Sequence, residues 1–319
     1  LFSLILFISK RITTPLARLA RAARDIGQGN FEGELPRSAT EKDEIDTLKN
    51  SFLSMQQELK DYILNLQITT KEKEKIGRDL HIANQIQVSI LPVLGPDILG
   101  RKDLNIYGFM EPAREVGGDL YDFNLNNGKL YFAIGDVSGK GVPAALYMAI
   151  TTTLFRSKAH EGSLRADEIV GTMNEFLCQQ NDQCMFVTFF AGILDIETGE
   201  INYFNAGHNY PYILRSDGRV ESLSVTHTPP LGIDCCLKAA ADTAKLGKGD
   251  LLLLYTDGIN EAFNIEGEQF TDAAIVSTLE QSVGRSSRET TELLIGNVKK
   301  FVGEAEQSDD MTVLAIKLP

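Results

Sequence analysis

Cysteine is scarce in this 319-residue chain: there are four, and no two of them form a Cys-x-x-Cys pair. Cys178, Cys184, Cys235 and Cys236 therefore offer neither a zinc-ribbon pattern nor a disulfide framework, and a vicinal pair is a poor structural bridge. They read as four reduced thiols in a cytosolic domain. Long apolar runs are also short of what a membrane needs. Leu1–Ile8 is almost wholly apolar, but eight residues cannot cross a bilayer, which takes about 20. No small-residue cleavage site follows, so a cleaved signal is not expected. Surplus positive charge is missing as well: 31 Lys and Arg face 44 Asp and Glu, a net charge of −13. Leu1–Gly95 holds 13 basic and 12 acidic residues, leaving 18 basic and 32 acidic for the remainder. An acidic remainder argues against a nucleic-acid partner, which would want a basic face.

Lys10, Arg11, Arg18, Arg21 and Arg24 precede the first acid, Asp25. A basic flank after an apolar segment is a cytoplasmic flank by the positive-inside rule. Residues 1–8 are therefore expected to be the end of a truncated transmembrane helix, anchoring the chain to the inner (cytoplasmic) membrane with the rest in the bacterial cytoplasm. Ile12, Leu16, Leu19, Ala23 and Ile26 then step as a heptad seam. Gly27-Gln-Gly-Asn30 breaks it, and an acidic connector runs to about Asp43. A second seam runs from Ile45 through Leu48, Phe52, Met55, Leu59, Tyr62 and Leu66, then keeps register to Leu94. Thr69, Lys73 and Gln87 are its weak members, so a coil is expected to be loosest near Lys73 and Gln87. Two short helices joined by an extended connector, with Pro15 opening the first and Asp43-Glu44-Ile45 the second, resemble a HAMP domain over residues 9–61. The resemblance implies a parallel four-helix dimer, continued by a coiled-coil linker helix over 62–94. His81 would face solvent from such a coil. No glycine-rich nucleotide lid follows it, which argues against a HAMP-linked kinase or cyclase.

Beyond about residue 95 the pattern changes. Leu104–Met110, Leu130–Val137, Phe186–Ile196, Ile201–Ala206, Tyr212–Arg215, Ala240–Lys245, Leu251–Thr256 and Thr312–Leu318 read as strands, being short, apolar or alternating, and bounded by Gly, Asn, Asp or Pro. Thr198-Gly199 and Asp217-Gly218 mark hairpin turns. Val142–Lys158, Ala166–Gln179, Asp272–Gln281 and Ser287–Glu304 read as helices. Strands grouped in hairpins with helices in pairs predict an α+β fold, an antiparallel β-sandwich flanked by helices, rather than a doubly wound sheet.

Acids stand at or near the ends of these strands: Asp119, Asp136, Asp257 and the pair Asp309-Asp310. Converging strand ends would gather them into an oxygen-rich pocket suited to Mg²⁺ or Mn²⁺ rather than zinc. Their surroundings are Val-Gly-Gly-Asp-Leu-Tyr-Asp (116–122), Gly-Asp-Val-Ser-Gly-Lys-Gly-Val-Pro-Ala-Ala-Leu (135–146), Asn-Ala-Gly-His-Asn (205–209), Pro-Leu-Gly-Ile (230–233), Tyr-Thr-Asp-Gly-Ile-Asn-Glu-Ala (255–262) and Asp-Asp-Met-Thr-Val (309–313). Six such motifs in this order resemble the bacterial metal-dependent protein serine/threonine phosphatases of the type 2C (PPM) superfamily, in the stage-II sporulation E and sigma-regulator branch. The resemblance covers residues 95–319 and implies an α-β-β-α arrangement with two Mn²⁺ or Mg²⁺ ions. It implies that Asp136 bridges the ions with the Val137 carbonyl beside it, that Asp119 holds the second ion, and that Asp257 and Asp309 hold the first, with Asp310 the alternative to Asp309. A water held by two such ions can attack phosphorus in line, and neither a Gly-x-Ser-x-Gly elbow nor a Cys-based loop offers a protein nucleophile.

Gly117, Gly118, Gly139 and Gly141 would let backbone approach a bound phosphate. Gly118, Gly139 and Arg114 are weak substrate-binding candidates, Arg114 reading more readily as a surface ion pair. His208 reads as structural, and Asp122 as a possible support of the acids. The function implied is a receptor-controlled phosphatase acting on a phosphoserine or phosphothreonine of a regulatory protein, by resemblance a STAS-type anti-sigma-factor antagonist in a partner-switching pathway. The chain would be a homodimer through HAMP and coiled coil. The rival is a catalytically inactive scaffold of the same fold, which could afford to lose acids that are all present here.

Overall fold

The computed structural model describes residues 2, 9–31, 44–93, 95, 98, 100–179 and 181–319. The expected membrane-helix end (apart from Phe2), the acidic connector over 32–43 and the seam residue Leu94 lie outside the described residues. Among the described residues no helix is long and apolar enough to cross a membrane. The chain divides into two compact units, Leu1–Asp79 and Leu80–Pro319, so the division falls inside the expected linker over 62–94.

In the first unit a π-helical turn, Ser9–Thr13, leads into α1, Thr14–Gly27, with Pro15 in its first turn. Proline is tolerated there because its missing N–H would have no helical partner. Helix α2, Glu44–Ile90, opens with Glu44 and Asp46, whose charges suit the positive end of the helix dipole. It continues without a break through Lys73, the expected weak point, and into the second unit. Little of the first unit is buried. Leu19 and Ala22 are, Ala22 rather than the seam residue Ala23, and Gln56 is buried as it donates to the Phe31 carbonyl at 3.0 Å. Leu48, Met55, Leu59, Tyr62, Leu66 and Ile76 remain exposed.

The second unit contains two five-stranded sheets in which every pairing is antiparallel. One has the order β1-β10-β9-β6-β7, from Asn105–Glu111, Met311–Lys317, Leu251–Tyr255, Tyr212–Leu214 and Val220–Ser222. The other has the order β2-β3-β4-β5-β8, from Leu120–Asn126, Lys129–Val137, Val187–Asp195, Glu200–Ala206 and Asp242–Lys245. Side chains alternate across a strand, and this sequence uses both faces. In β3, Leu130, Phe132 and Ile134 enter the core between the sheets, where Leu252 and Leu254 of β9 and Leu314 and Ile316 of β10 meet them. Tyr131 and Ala133 face the other way, onto helices α3 (Val142–Glu161) and α4 (Ala166–Gln179). Leu251, Leu253 and Tyr255 of β9, with Met311, Val313 and Ala315 of β10, face a third core. There they pack with the short helix α5 (Asp257–Asn260), α6 (Thr271–Glu280) and α7 (Ser287–Val302). The result is the α-β-β-α order that the grouping of strands and helices predicts.

The sequence reading misses two strands. β2 hides because it begins inside the acidic motif at 116–122 and carries Asp122, Asn124 and Asn126 among its apolar residues. Its hairpin to β3 turns on Asn127-Gly128, both at positive φ (51° and 78°), the backbone that a two-residue turn between twisted strands requires. β7 is three residues long, too short for alternation to register. The expected strands Phe186–Ile196, Tyr212–Arg215, Ala240–Lys245 and Leu251–Thr256 are each trimmed at one or both ends.

Candidate functional site

Antiparallel pairing places the acids at one end of each sheet. Asp119 immediately precedes β2, and Asp136 is the penultimate residue of β3; the two strands pair with Leu120 opposite Gly135. Asp309 and Asp310 immediately precede β10, and Asp257 opens α5 two residues beyond β9; those strands pair with Val313 opposite Tyr255. Four chain segments that are remote in sequence thus deliver their carboxylates to one neighbourhood.

The carboxylates feel one another. Burial first, then the charges of Asp136 and Asp310, hold the Asp119 carboxyl well above the ordinary range. Asp136 is pushed up to about 7 by burial and by the charges of Asp257, Asp309 and Asp310. Asp257 is raised by burial and by Asp309 and Glu261. Each cause penalises a bare negative charge, and a divalent cation would relieve all of them at once. The donor set is all oxygen, as Mg²⁺ and Mn²⁺ require, so its chemistry fits those ions. Among the described residues, however, no three Asp, Glu, His or Cys side chains stand arranged to hold an ion, and the hydrogen bonds explain why.

Asp309 is half-exposed and pairs with Lys140, whose Nζ lies 2.7 Å from its Oδ2 and also donates to the Ser308 carbonyl at 2.9 Å. Asp310 is buried, with both oxygens in use: Oδ1 accepts the Ala113 N–H and Oδ2 the Gly118 N–H, each at 2.8 Å. The two neighbours, indistinguishable by sequence, therefore occupy different environments. Asp119 accepts from the buried Thr256 hydroxyl at 2.7 Å, and that hydroxyl in turn accepts the Thr312 N–H. A Cβ on Gly117 would overlap the Asp310 carboxylate, and one on Gly118 would come within 2.9 Å of the Val137 carbonyl oxygen. Glycine is thus required at 117 and 118 by protein atoms rather than by a ligand. Gly139 and Gly141 differ, with positive φ and open space where a Cβ would lie.

A sequence profile described as Stage II sporulation protein E (SpoIIE) matches residues 126–319. The chain belongs to the SpoIIE family. A HAMP domain profile matches residues 7–61 ahead of it. Protein IcfG of Synechocystis sp. is 30% identical over 336 aligned positions, covering 95% of this chain and 51% of IcfG. The chain thus spans about half the length of that relative. Phosphoserine phosphatase RsbU of Bacillus subtilis is 25% identical, with 77% of this chain and 71% of RsbU covered. Among solved structures, the SiaA-PP2C domain of Pseudomonas aeruginosa superposes with a TM-score of 0.68 at 21% identity, covering 78% of this chain and 99% of that domain. That likeness is one of fold.

Two further candidates in this SpoIIE-family chain are held by partners outside the acid set, although the Thr188 hydroxyl that bonds His208 also lies 3.4 Å from the Asp136 carbonyl. Asp122 is buried against Arg156, which reaches it through Nε at 3.0 Å and Nη2 at 2.9 Å; it is a buried ion pair and supports none of the clustered acids. His208 receives or donates a 2.8 Å bond between Nδ1 and the Thr188 hydroxyl, and burial holds its imidazole down to about 4. Arg114 is exposed and, among the described residues, forms no ion pair, contrary to the surface salt bridge that its position suggests.

Sequence reasoning overlooks Gln87, Lys140 and Thr256. Gln87, a weak seam residue by its polarity, is buried and clamps Gly117 from both sides: Nε2 donates to the Gly117 carbonyl at 2.6 Å and Oε1 accepts its N–H at 3.1 Å. Asn84, one turn earlier, donates to the Glu115 carbonyl at 2.7 Å, and Arg156 to the Ile90 carbonyl at 2.9 Å. Polar side chains spaced three to four apart on the last turns of a helix were the available signal, since such residues share a face.

Proposed function

We propose that this chain is a signal-regulated protein serine/threonine phosphatase acting on a phosphoserine or phosphothreonine of a regulatory protein. The observation that carries this is the gathering of Asp119, Asp136, Asp257, Asp309 and Asp310 from four segments into one neighbourhood, where burial and the surrounding carboxylates raise Asp119, Asp136 and Asp257. Asp119, Asp136, Asp257 and Asp309 are the residues to hold divalent cations, with the Val137 carbonyl among them. Asp310 braces the loop, because its oxygens are committed to the Ala113 and Gly118 amides. Such ions, when bound, supply an activated water and neutralise phosphoryl oxygens. Thr256 orients Asp119 by its 2.7 Å bond. Lys140 neutralises Asp309 until a cation takes its place, and it is then free to meet a phosphoryl oxygen. Arg114, exposed beside the loop that Asp310 fixes, is the second cation for that role, and the open backbone at Gly139 lets a phosphate approach.

The Gln87 clamp supplies the route of control. Helix α2 is continuous from Glu44 to Ile90, and its end holds the backbone two residues before Asp119. HAMP repacking that turns or shifts this helix would move Gly117 and, with it, the acid. The matched HAMP profile and the exposed seam of α2 support a homodimer, anchored to the inner membrane by a helix ahead of residue 9. RsbU bears the name phosphoserine phosphatase, which supports a phosphoserine-bearing substrate; the resemblance to the sigma-regulator branch makes a STAS-type partner-switching protein the substrate we infer.

The deciding assay measures phosphate release from a phosphoserine-bearing regulatory protein with and without Mn²⁺, for the intact chain and Asp136→Asn. Release should require the metal and fall about a thousandfold in the variant, the equivalent of about 4 kcal/mol of lost transition-state stabilisation. Metal-independent release, or release that survives Asp136→Asn, rules out the assignment.

A further inference from the structure

The four cysteines, scattered in sequence, fall on two segments that meet. Cys178 and Cys184 lie at the end of α4 and in the turn after it; Cys235 and Cys236 lie in the loop that follows Leu231. Two asparagines clasp that loop. Asn174 accepts the Gly232 N–H at 2.9 Å and donates to the Asp234 carbonyl at 2.7 Å. Asn181 donates to the Gly232 carbonyl at 3.1 Å and exchanges bonds with the backbone of Met185. Cys178 stands one turn beyond Asn174, with its thiol 3.9 Å from the Asn174 side-chain oxygen, and the same Asn174 amide holds the Asp234 carbonyl, which adjoins Cys235. The Asp234 carboxylate accepts the Cys236 N–H at 2.9 Å, which fixes the turn that presents the vicinal pair. Cys235 and Cys236 are exposed, and Cys178 is half-buried. All four thiols are free, as expected, but Asn174 brings Cys178 and the loop of Cys235 together.

We propose that Cys178 and Cys235 are a peroxide-responsive thiol–disulfide pair that can join the end of α4 to the Leu231–Cys236 loop. The exposed Cys235 thiolate attacks a peroxide oxygen; the O–O bond breaks, leaving a sulfenic acid on Cys235 and releasing water once the departing hydroxide takes a proton. The Cys178 sulfur then attacks the sulfenyl sulfur. The S–S bond forms, the S–O bond breaks, and the Cys178 proton leaves with the hydroxide as a second water. Two thiols lose two electrons in all, and one hydrogen peroxide becomes two waters. The division of labour follows from the surroundings. Partial burial, the neighbouring Cys235 and the nearby negative charges push the Cys178 thiol up to about 12, so it resolves rather than initiates.

The location gives the bridge a lever on the acids. Leu231 and Val187 exchange both backbone hydrogen bonds, at 2.9 and 3.0 Å. Val187 is the register partner of Val137, and Thr188 that of Asp136. A covalent tie at Cys235 thus constrains a loop bonded directly to the strand that pairs with the Asp136–Val137 backbone.

The test uses the full-length chain, treated with hydrogen peroxide, blocked with iodoacetamide, digested without reductant and mapped by mass spectrometry. The expected product joins the Cys178 peptide to the Cys235 peptide and disappears with dithiothreitol. Cys236→Ser should keep it; Cys178→Ser should lose it and leave Cys235 trappable by dimedone. A Cys178 that stays open to iodoacetamide after peroxide overturns the proposal, as does a Cys235 linked only to Cys236 or to another chain. Because the readout is covalent, it stands or falls apart from any phosphatase assay.

Discussion

The two units of this chain use the same apolar residue types in opposite ways. The unit at Leu80–Pro319 alternates them across strands and buries them in three cores. The unit at Leu1–Asp79 arranges them in a seam and leaves most of them in water: Tyr62 is 61% exposed and Ile76 58%. Exposed apolar stripes of this regularity mark an interface, and heptad spacing specifies another helix as the occupant. One unit thus completes its core within a single chain, and the other leaves most of its described seam uncovered.

The largest effect that separates the units should come from the seam. Replacing Leu59 and Leu66 together by Lys is expected to convert a dimer to a monomer by sedimentation, with the urea midpoint of the second unit unchanged. A wild-type chain that sediments as a monomer, or a midpoint that falls with the seam, breaks the comparison. Next comes Asp310→Ala, which strips buried acceptors from two amides at about 1–3 kcal/mol each. Asp309→Ala, at a half-exposed ion pair, should stay within about 1 kcal/mol. Equal losses in urea unfolding would show that the two acids share one role. Gln87→Ala removes both bonds to Gly117. It should speed amide exchange at Gly117 and Gly118 and weaken Mn²⁺ binding by about five- to 150-fold, the range of ordinary coupling energies. Unchanged exchange would sever helix α2 from the acids. A further effect is one of pH. With Asp136 raised from 3.8 to about 7, the folded state holds the proton more tightly than the unfolded chain, so this contribution is complete below about pH 4 and is lost as pH rises through about 7. Metal-free protein should therefore show a melting point for the second unit that falls by a few degrees between about pH 5 and pH 8. Saturating Mn²⁺ at 100 times its dissociation constant would restore about 2.7 kcal/mol. A melting point that rises over that range contradicts the mutual repulsion of the acids.

What could be read from sequence followed the range of the forces involved. Strands β3, β9 and β10 were legible because alternation is a local property, and the α-β-β-α order followed from their grouping. The acids were found because family motifs mark them, yet Asp309 and Asp310 could not be told apart. Their difference lies in the amides of Ala113 and Gly118, nearly two hundred residues away in the chain. Gln87 was misjudged for the same reason. Against a coiled-coil partner its amide is a defect, whereas against the Gly117 backbone it satisfies a donor and an acceptor together. Strand β2 is a miss of another kind. Asn127-Gly128 announces its hairpin, but polar residues along the strand conceal its alternation.

The pairing of β1 with β10 matches Asn105 with Lys317, so the sheet that carries Asp257 and Asp309 is closed by strands about two hundred residues apart in the chain. On the ribosome, β2 through β5 can pair as soon as they emerge, because each is joined to its neighbour by hydrogen bonds along β2-β3-β4-β5. The other sheet must wait with β1 unpaired until Met311–Lys317 has left the exit tunnel. A nascent chain therefore holds half its sandwich before its set of acids is complete, and the arrival of β10, with Asp309 and Asp310 just ahead of it, is the step that completes the set.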